Sequence, residues 1–215
     1  MKNKIVLFDL DGTLIDSTQA IYESFCTAFK AFNKDTPNIE SIKKLIGYTL
    51  EDIFIALGIE EKECPQYITA YKEHYRQICN KKTILLENAK ESILKAYEFA
   101  YLGIVTTKTG LYSKDLLQHF NVLQYFHCII GRENVTKPKP NKEPILKALE
   151  ALPKGISNSH IYMIGDTPLD ILAAKEANIQ SFGVLSGYAS LSVLQKYTDK
   201  IARDSLEAIS IIQSI

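Results

Sequence analysis

Short runs of strand-forming residues alternate with helix-patterned stretches along most of this chain, and that alternation limits its fold more than any other feature. The runs fall at 5–8, 102–106, 127–130, 161–164 and 181–185. Helical spacing covers about 88–100, 113–120 and 168–177 between them. Strands alternating with helices of this size argue for βαβ units and a parallel sheet buried on both faces. The pattern predicts an α/β fold with a doubly wound parallel sheet.

One segment interrupts the alternation. From about residue 16 to 82 there is no strand-like run, only helical spacing. Tyr22, Phe25, Phe29 and Phe32 fall on one helix face, and Tyr67, Tyr71 and Tyr75 make a second stripe with Ile68 and Ile78. Thr49-Leu50-Glu51-Asp52 reads as a capping signal ahead of Ile53, Phe54 and Leu57. Period-matched aromatics bury themselves, so the stripes are read as the core of a small helical domain. The expected division is an α/β core of residues 1–15 and 84–215 with a helical domain, 16–83, inserted after the first strand. Linkers are expected near 14–17 and 81–86.

Composition narrows the function classes. With 25 Lys and Arg against 25 Asp and Glu the net charge is zero, which lacks the basic footprint of a nucleic-acid binder. The longest clean apolar runs are four or five residues, far below the ~20 that span a bilayer. The apolar run after the basic N-terminus meets Asp9 at once, too soon for a secretory signal. Cys26, Cys64, Cys79 and Cys128 are widely spaced and read as reduced thiols. A cytoplasmic monomer or homodimer is expected, with no nucleic acid and no membrane among its partners. The four histidines lack metal-ligand spacing.

The strand ends carry the chemistry. In Phe8-Asp9-Leu10-Asp11-Gly12-Thr13 two carboxylates follow an apolar strand directly, and ligands of open parallel sheets bind beyond the carboxyl ends of the strands. Two like charges so close need a cation, or a proton on one of them. A solvated Asp-Gly turn would explain this pair alone. However, the second run ends on Thr106 and Thr107. The third is followed by Lys137 in a proline-stiffened loop, and the fourth ends on Gly165-Asp166 with Asp170 just beyond. An acid, a hydroxyl or a cation at each of these ends suits phosphoryl transfer through a covalent aspartyl phosphate. Hard oxygen ligands match Mg²⁺, and a lysine and a hydroxyl can hold the phosphoryl oxygens.

Residues 8–17, Phe-Asp-Leu-Asp-Gly-Thr-Leu-Ile-Asp-Ser, resemble the first motif of the haloacid dehalogenase superfamily. Thr106, Lys137 and Gly165-Asp166 with Asp170 fall, in order, where that family has its second, third and fourth motifs. The resemblance covers nearly the whole chain, the helical insertion included. It implies that Asp9 is the nucleophile and a Mg²⁺ ligand. Asp11 would be the general acid and then the base, with its carbonyl on the metal. Thr106 and Lys137 would bind the phosphoryl group, Lys137 would also screen Asp9, and Asp166 and Asp170 would serve the metal. The inserted helices would be a cap that excludes water.

Asp11 separates this pattern from the dehalogenases, which lack an acid there, and Thr13 is typical of the phosphatases. The chain, with Ile46-Gly47-Tyr48-Thr49-Leu50-Glu51, resembles most the phosphoglycolate phosphatase branch. Gly47, Tyr48, Thr49, Lys43 and Lys44 are then candidates to contact the leaving group, with Thr107 beside them in the second motif. The sequence departs from the branch at Leu86-Glu87-Asn88-Ala89, where a Pro-Gly pair is common, and at Thr107, where Asn is common. The expected substrate is a small-molecule phosphate monoester. A sugar phosphomutase, an inorganic pyrophosphatase or nucleotidase, and a phospho-accepting receiver module remain open.

Overall fold

The computed structural model describes residues 2–215. Strand β1 (Lys4–Phe8) leads through a short β2 (Ile15–Asp16) into four helices. These are α1 (Thr18–Ala31), α2 (Ile39–Lys43), α3 (Leu50–Ala56) and α4 (Cys64–Lys82). The chain then returns through β3 (Ile84–Leu85), which pairs antiparallel with β2 at the neck of the helical segment. After it, α5 (Ala89–Phe99), β4 (Ala100–Val105), α6 (Gly110–His119), β5 (Phe126–Ile130) and α7 (Glu143–Glu150) follow. Next come β6 (Ile161–Gly165), α8 (Pro168–Glu176) and β7 (Gln180–Val184). The chain closes with α9 (Leu191–Leu194), β8 (Ile201–Ala202) and α10 (Ser205–Ser214).

Six strands form one parallel sheet in the order β5-β4-β1-β6-β7-β8. The chain winds outward from β1 to β5 on one side, then crosses back to β6 and winds outward on the other. The order therefore reverses between β1 and β6, where a doubly wound sheet opens a crevice at its carboxyl edge. All five residues of β1 are buried. Val6 and Phe8 face one apolar cluster with Ile93 of α5, Leu116 of α6 and Ile209 of α10. Ile5 and Leu7 face the other with Ile145 of α7 and Ala173 of α8. Two packed faces explain the continuous apolar runs in the sequence.

Three of the expected helices start or stop within a few residues of the sequence reading. Helix α8 opens as predicted, with Pro168 in its first turn. Strands β2, β3 and β8 are two residues each and left no period to detect. Among the described residues no helix is long and apolar enough to cross a membrane. All four cysteines are free thiols.

The aromatic stripes bury one another. Phe25 of α1 lies 4.8 Å, ring to ring, from both Phe54 of α3 and Tyr71 of α4. Tyr67 of α4 packs on Phe29, Phe32 and Phe54. Thr49 caps α3 by accepting from the backbone N–H of Asp52, as the capping signal predicts. Phe54 is fully buried at the centre of this cluster. Phe54→Ala is expected to cost about 3–5 kcal/mol in urea unfolding; a cost below about 1 kcal/mol would contradict a tightly packed helical core.

Candidate active site at the switch point

Strand β1 ends at Phe8, so Asp9 emerges between the ends of β4 and β6, and its backbone N–H still donates to Ile164 O at 2.9 Å. The chain then turns sharply, because the N–H groups of Leu14 and Ile15 both donate to Leu10 O. Gly12 takes a φ of +79° in this turn, and a Cβ there would collide with the carboxylate of Asp166. A Cβ at Gly187 would strike the same carboxylate. Backbone from two loops therefore closes on Asp166, which accepts from the Tyr188 N–H at 2.8 Å and from Thr13 Oγ1 at 3.3 Å.

Asp9, Asp166 and Asp170 are all buried, and one carboxylate oxygen of each lies within 4.8 Å of the others. A single ammonium faces them. Lys139 Nζ stands 2.9 Å from Asp9 Oδ1 and 2.5 Å from Asp170 Oδ1, and donates to Val105 O at 3.0 Å. The other oxygen of Asp170 accepts from the N–H and Oγ1 of Thr167, so this residue also caps α8. Burial drives the Asp9 carboxyl up to about 7, against the pull of Lys139 and with a further push from Asp170. Burial, with the charges of Asp9 and Asp170, holds Asp166 well above the ordinary carboxylate range. Burial works to deprotonate Lys139, but the two aspartates outweigh it and raise its pKa.

Three acids against one base leave excess negative charge in a site closed to water. Asp9 Oδ1, although at ion-pair distance from Lys139, has no partner in hydrogen-bond geometry. Three buried carboxylates converging on one point, faced by one ammonium, fit a hard divalent cation held by Asp9, Asp166 and Asp170.

Asp11 belongs to a different environment two residues away. Its carboxylate accepts from Ser17 Oγ and pairs with Lys108 Nζ at 2.9 Å. It borders a cavity of about 240 Å³ between the sheet edge and the inserted helices. Gly47, Tyr48 and Thr49 line this cavity with Thr107, Tyr75 and Arg132. Thr107 Oγ1 donates to Gly47 O at 2.9 Å, tying the loop after β4 to the inserted segment.

A family model described as haloacid dehalogenase-like hydrolase matches residues 6–184. The chain belongs to this family. A pyrophosphatase PpaX from Halalkalibacterium halodurans is 33% identical, covering 88% of this chain and 86% of its own. A phosphoglycolate phosphatase from Colwellia psychrerythraea is 30% identical, over 87% of this chain and 86% of its own. A solved structure described as a predicted phosphatase from Clostridium acetobutylicum superposes with a TM-score of 0.87 at 27% identity, covering all of both chains. With relatives of these names, the chain is an enzyme of the phosphatase group of the haloacid dehalogenase-like hydrolases.

Within that family frame, the structure brings together Asp9, Asp166 and Asp170 as the sequence suggests, and places Thr106 at the end of β4, buried, with its Oγ1 accepting from the Lys108 N–H. Lys137 is a correction. Its backbone N–H, like that of Thr136, donates to the Glu143 carboxylate, which holds it on the surface at the start of α7. Lys139 occupies the position assigned to it. Two successive Lys-Pro pairs are indistinguishable in sequence, and the buried one is decided by how the loop enters α7.

The side chain of Asp11 turns from the carboxylate cluster toward Lys108, which leaves only its carbonyl free to face a metal. Gly47, Tyr48 and Thr49 lie on the cavity as expected, whereas Lys43 pairs with Glu40 and Lys44 is exposed. Lys108, Ser17 and Tyr188 were not picked out from sequence. Ser17 ends the first motif and Lys108 directly follows Thr107, while Tyr188 follows β7 with no local signal.

Lys139→Met is expected to lower turnover of a phosphate ester by about 10²–10³-fold, and Lys137→Met by less than about threefold. Steady-state kinetics of the two purified variants checks this, and the reverse order would restore Lys137.

Proposed function

We propose that this phosphatase hydrolyses small phosphate monoesters, with phosphoglycolate the reference substrate, using Mg²⁺ and a phosphorylated Asp9 as intermediate. The observation that supports it most is the sorting of Asp9 and Asp11 into two environments. Asp9 lies in the carboxylate cluster with Lys139, while Asp11 lies on the cavity with Lys108. This separation supports a nucleophilic role for Asp9 and a proton-transfer role for Asp11.

In this reading an Asp9 oxygen attacks phosphorus, and the bond from phosphorus to the leaving oxygen breaks as Asp11 supplies its proton. A water then attacks the phosphorus of the acyl phosphate, Asp11 takes a proton from it, and the bond to Asp9 breaks to release inorganic phosphate. Asp9, Asp166 and Asp170, with the Asp11 carbonyl, would hold a Mg²⁺ ion, which when bound would supply positive charge to the phosphoryl oxygens. Lys139 keeps Asp9 oriented and offsets its charge, and Thr106 binds a phosphoryl oxygen. Residues 16–83 act as the cap that excludes bulk water, and 1–15 with 84–215 form the core beneath it. Gly47, Tyr48, Thr49 and Thr107 then face the leaving group.

Phosphate release is expected from phosphoglycolate with Mg²⁺, and not with excess chelator. Pyrophosphate belongs in the same panel because relatives carry that name. Asp9→Asn should abolish release while the fold is retained; activity above a few per cent would rule out the covalent route.

The raised pKa of Asp9 gives a second test. The folded, metal-free protein holds a proton that the unfolded chain releases at its ordinary 3.8. Stability contributed by this group is therefore full below that value and is lost as pH rises through about 7. A bound cation removes the penalty, so Mg²⁺ should raise the melting temperature more at about pH 8 than at about pH 5. An equal shift at both, or none, would count against a cation on these carboxylates.

A further inference from the structure

Lys108 is a buried cation at the edge of the site that the proposed reaction leaves without a role. Its side chain is only 8% exposed, and its ammonium lies 2.9 Å from Asp11 Oδ2 and 3.0 Å from the Tyr75 hydroxyl. The backbone on either side is pinned. Its N–H donates to Thr106 Oγ1 at 3.1 Å, and its carbonyl accepts from the Arg132 N–H at 3.0 Å. The lysine thus starts from a rigid strand end and reaches an acid on the neighbouring loop.

Tyr75 comes from the other side of the cleft, on α4. Its ring centre is 4.6 Å from the ammonium and it is wedged between Tyr71 and Tyr112, each 5.6 Å away. The stack leaves the phenol little freedom, so the ammonium is clamped between a fixed hydroxyl and the carboxylate of Asp11. The bond from Ser17 meets the other oxygen of that carboxylate. Asp11 is therefore oriented at both oxygens, from the sheet edge and from the start of α1.

We infer that Lys108 is a positioning residue, which with Tyr75 aims the Asp11 carboxyl at the leaving oxygen and so couples proton transfer to the seating of the inserted helices. This rests on the proposed role of Asp11. A lysine serving instead as an anion site would be free to meet the ligand, whereas two of the three N–H donors of Lys108 are already committed. Proton donation counts for most when the leaving alkoxide is strongly basic, and for little with p-nitrophenolate, which departs without a proton.

The test compares an alkyl phosphate with p-nitrophenyl phosphate. Lys108→Met should lower kcat for the alkyl ester about 10–100-fold and for the aryl ester by less than about threefold. Tyr75→Phe, which keeps the ion pair and removes only the hydroxyl, should shift the same ratio in the same direction by about two- to fivefold, and Lys108→Arg should restore part of the loss. Equal losses on both esters, or a change confined to KM, would overturn the inference. A crystal structure provides a readout independent of turnover: in Lys108→Met, or in Tyr75→Phe if the first does not fold, the Asp11 or Lys108 side chain should leave its present position. An unmoved pair refutes the inference whatever the activity. Failure of the wild type to hydrolyse either ester refutes the proposed monoester hydrolysis instead, and the crystal structure still decides the role of Lys108.

Discussion

A single buried ammonium, Lys139, holds the centre of this molecule together. It contacts the carbonyl that ends β4, the aspartate that follows β1 and the aspartate in the first turn of α8 after β6. These are the three strand ends on which the site is built. Without it the fold would bring buried carboxylates together with no compensating charge, and removing one partner of such a buried pair is costly. The ion pairs offset part of the cost of burying Asp9. They do not complete the neutralisation, and the three converging carboxylates leave room for a further cation.

The helical insertion contributes in a different way. Its interlocked aromatic rings belong to the same apolar cluster as one face of the sheet, and it meets the loop after β4 through Thr107 and Gly47, and through Lys108 and Tyr75. These contacts border the cavity beside Asp11. Two acids separated by one residue on the same loop thus meet two surroundings, one the carboxylates at the sheet edge and the other the cavity beneath the inserted helices.

Much of this was legible in the sequence for identifiable reasons. Continuous apolar runs ending on acids exposed the buried parallel strands, and the stripe of Tyr22, Phe25, Phe29 and Phe32 exposed a helix that packs by its aromatic face. Asp9, Asp166 and Asp170 could be found because each sits immediately beyond a strand or on the first turn of a helix. Lys139 could not be separated from Lys137, since each precedes a proline in the same loop and only the bonds from Thr136 and Lys137 to Glu143 decide which one turns inward. Lys108 was hidden for another reason. A lysine after two threonines reads as surface, and its burial depends on Tyr75, thirty-three residues away on the inserted segment.

The central claim is that Asp9 becomes phosphorylated during turnover, and it can be tested on the bond itself. Borohydride reduces an acyl phosphate to an alcohol, so quenching the enzyme during turnover should convert Asp9 to homoserine, detectable by peptide mass spectrometry. The account predicts homoserine at position 9 in samples with both substrate and Mg²⁺, and none when either is omitted. Reduction at Asp11 or Asp166, or an active enzyme with unmodified Asp9 at every quench time, would contradict it.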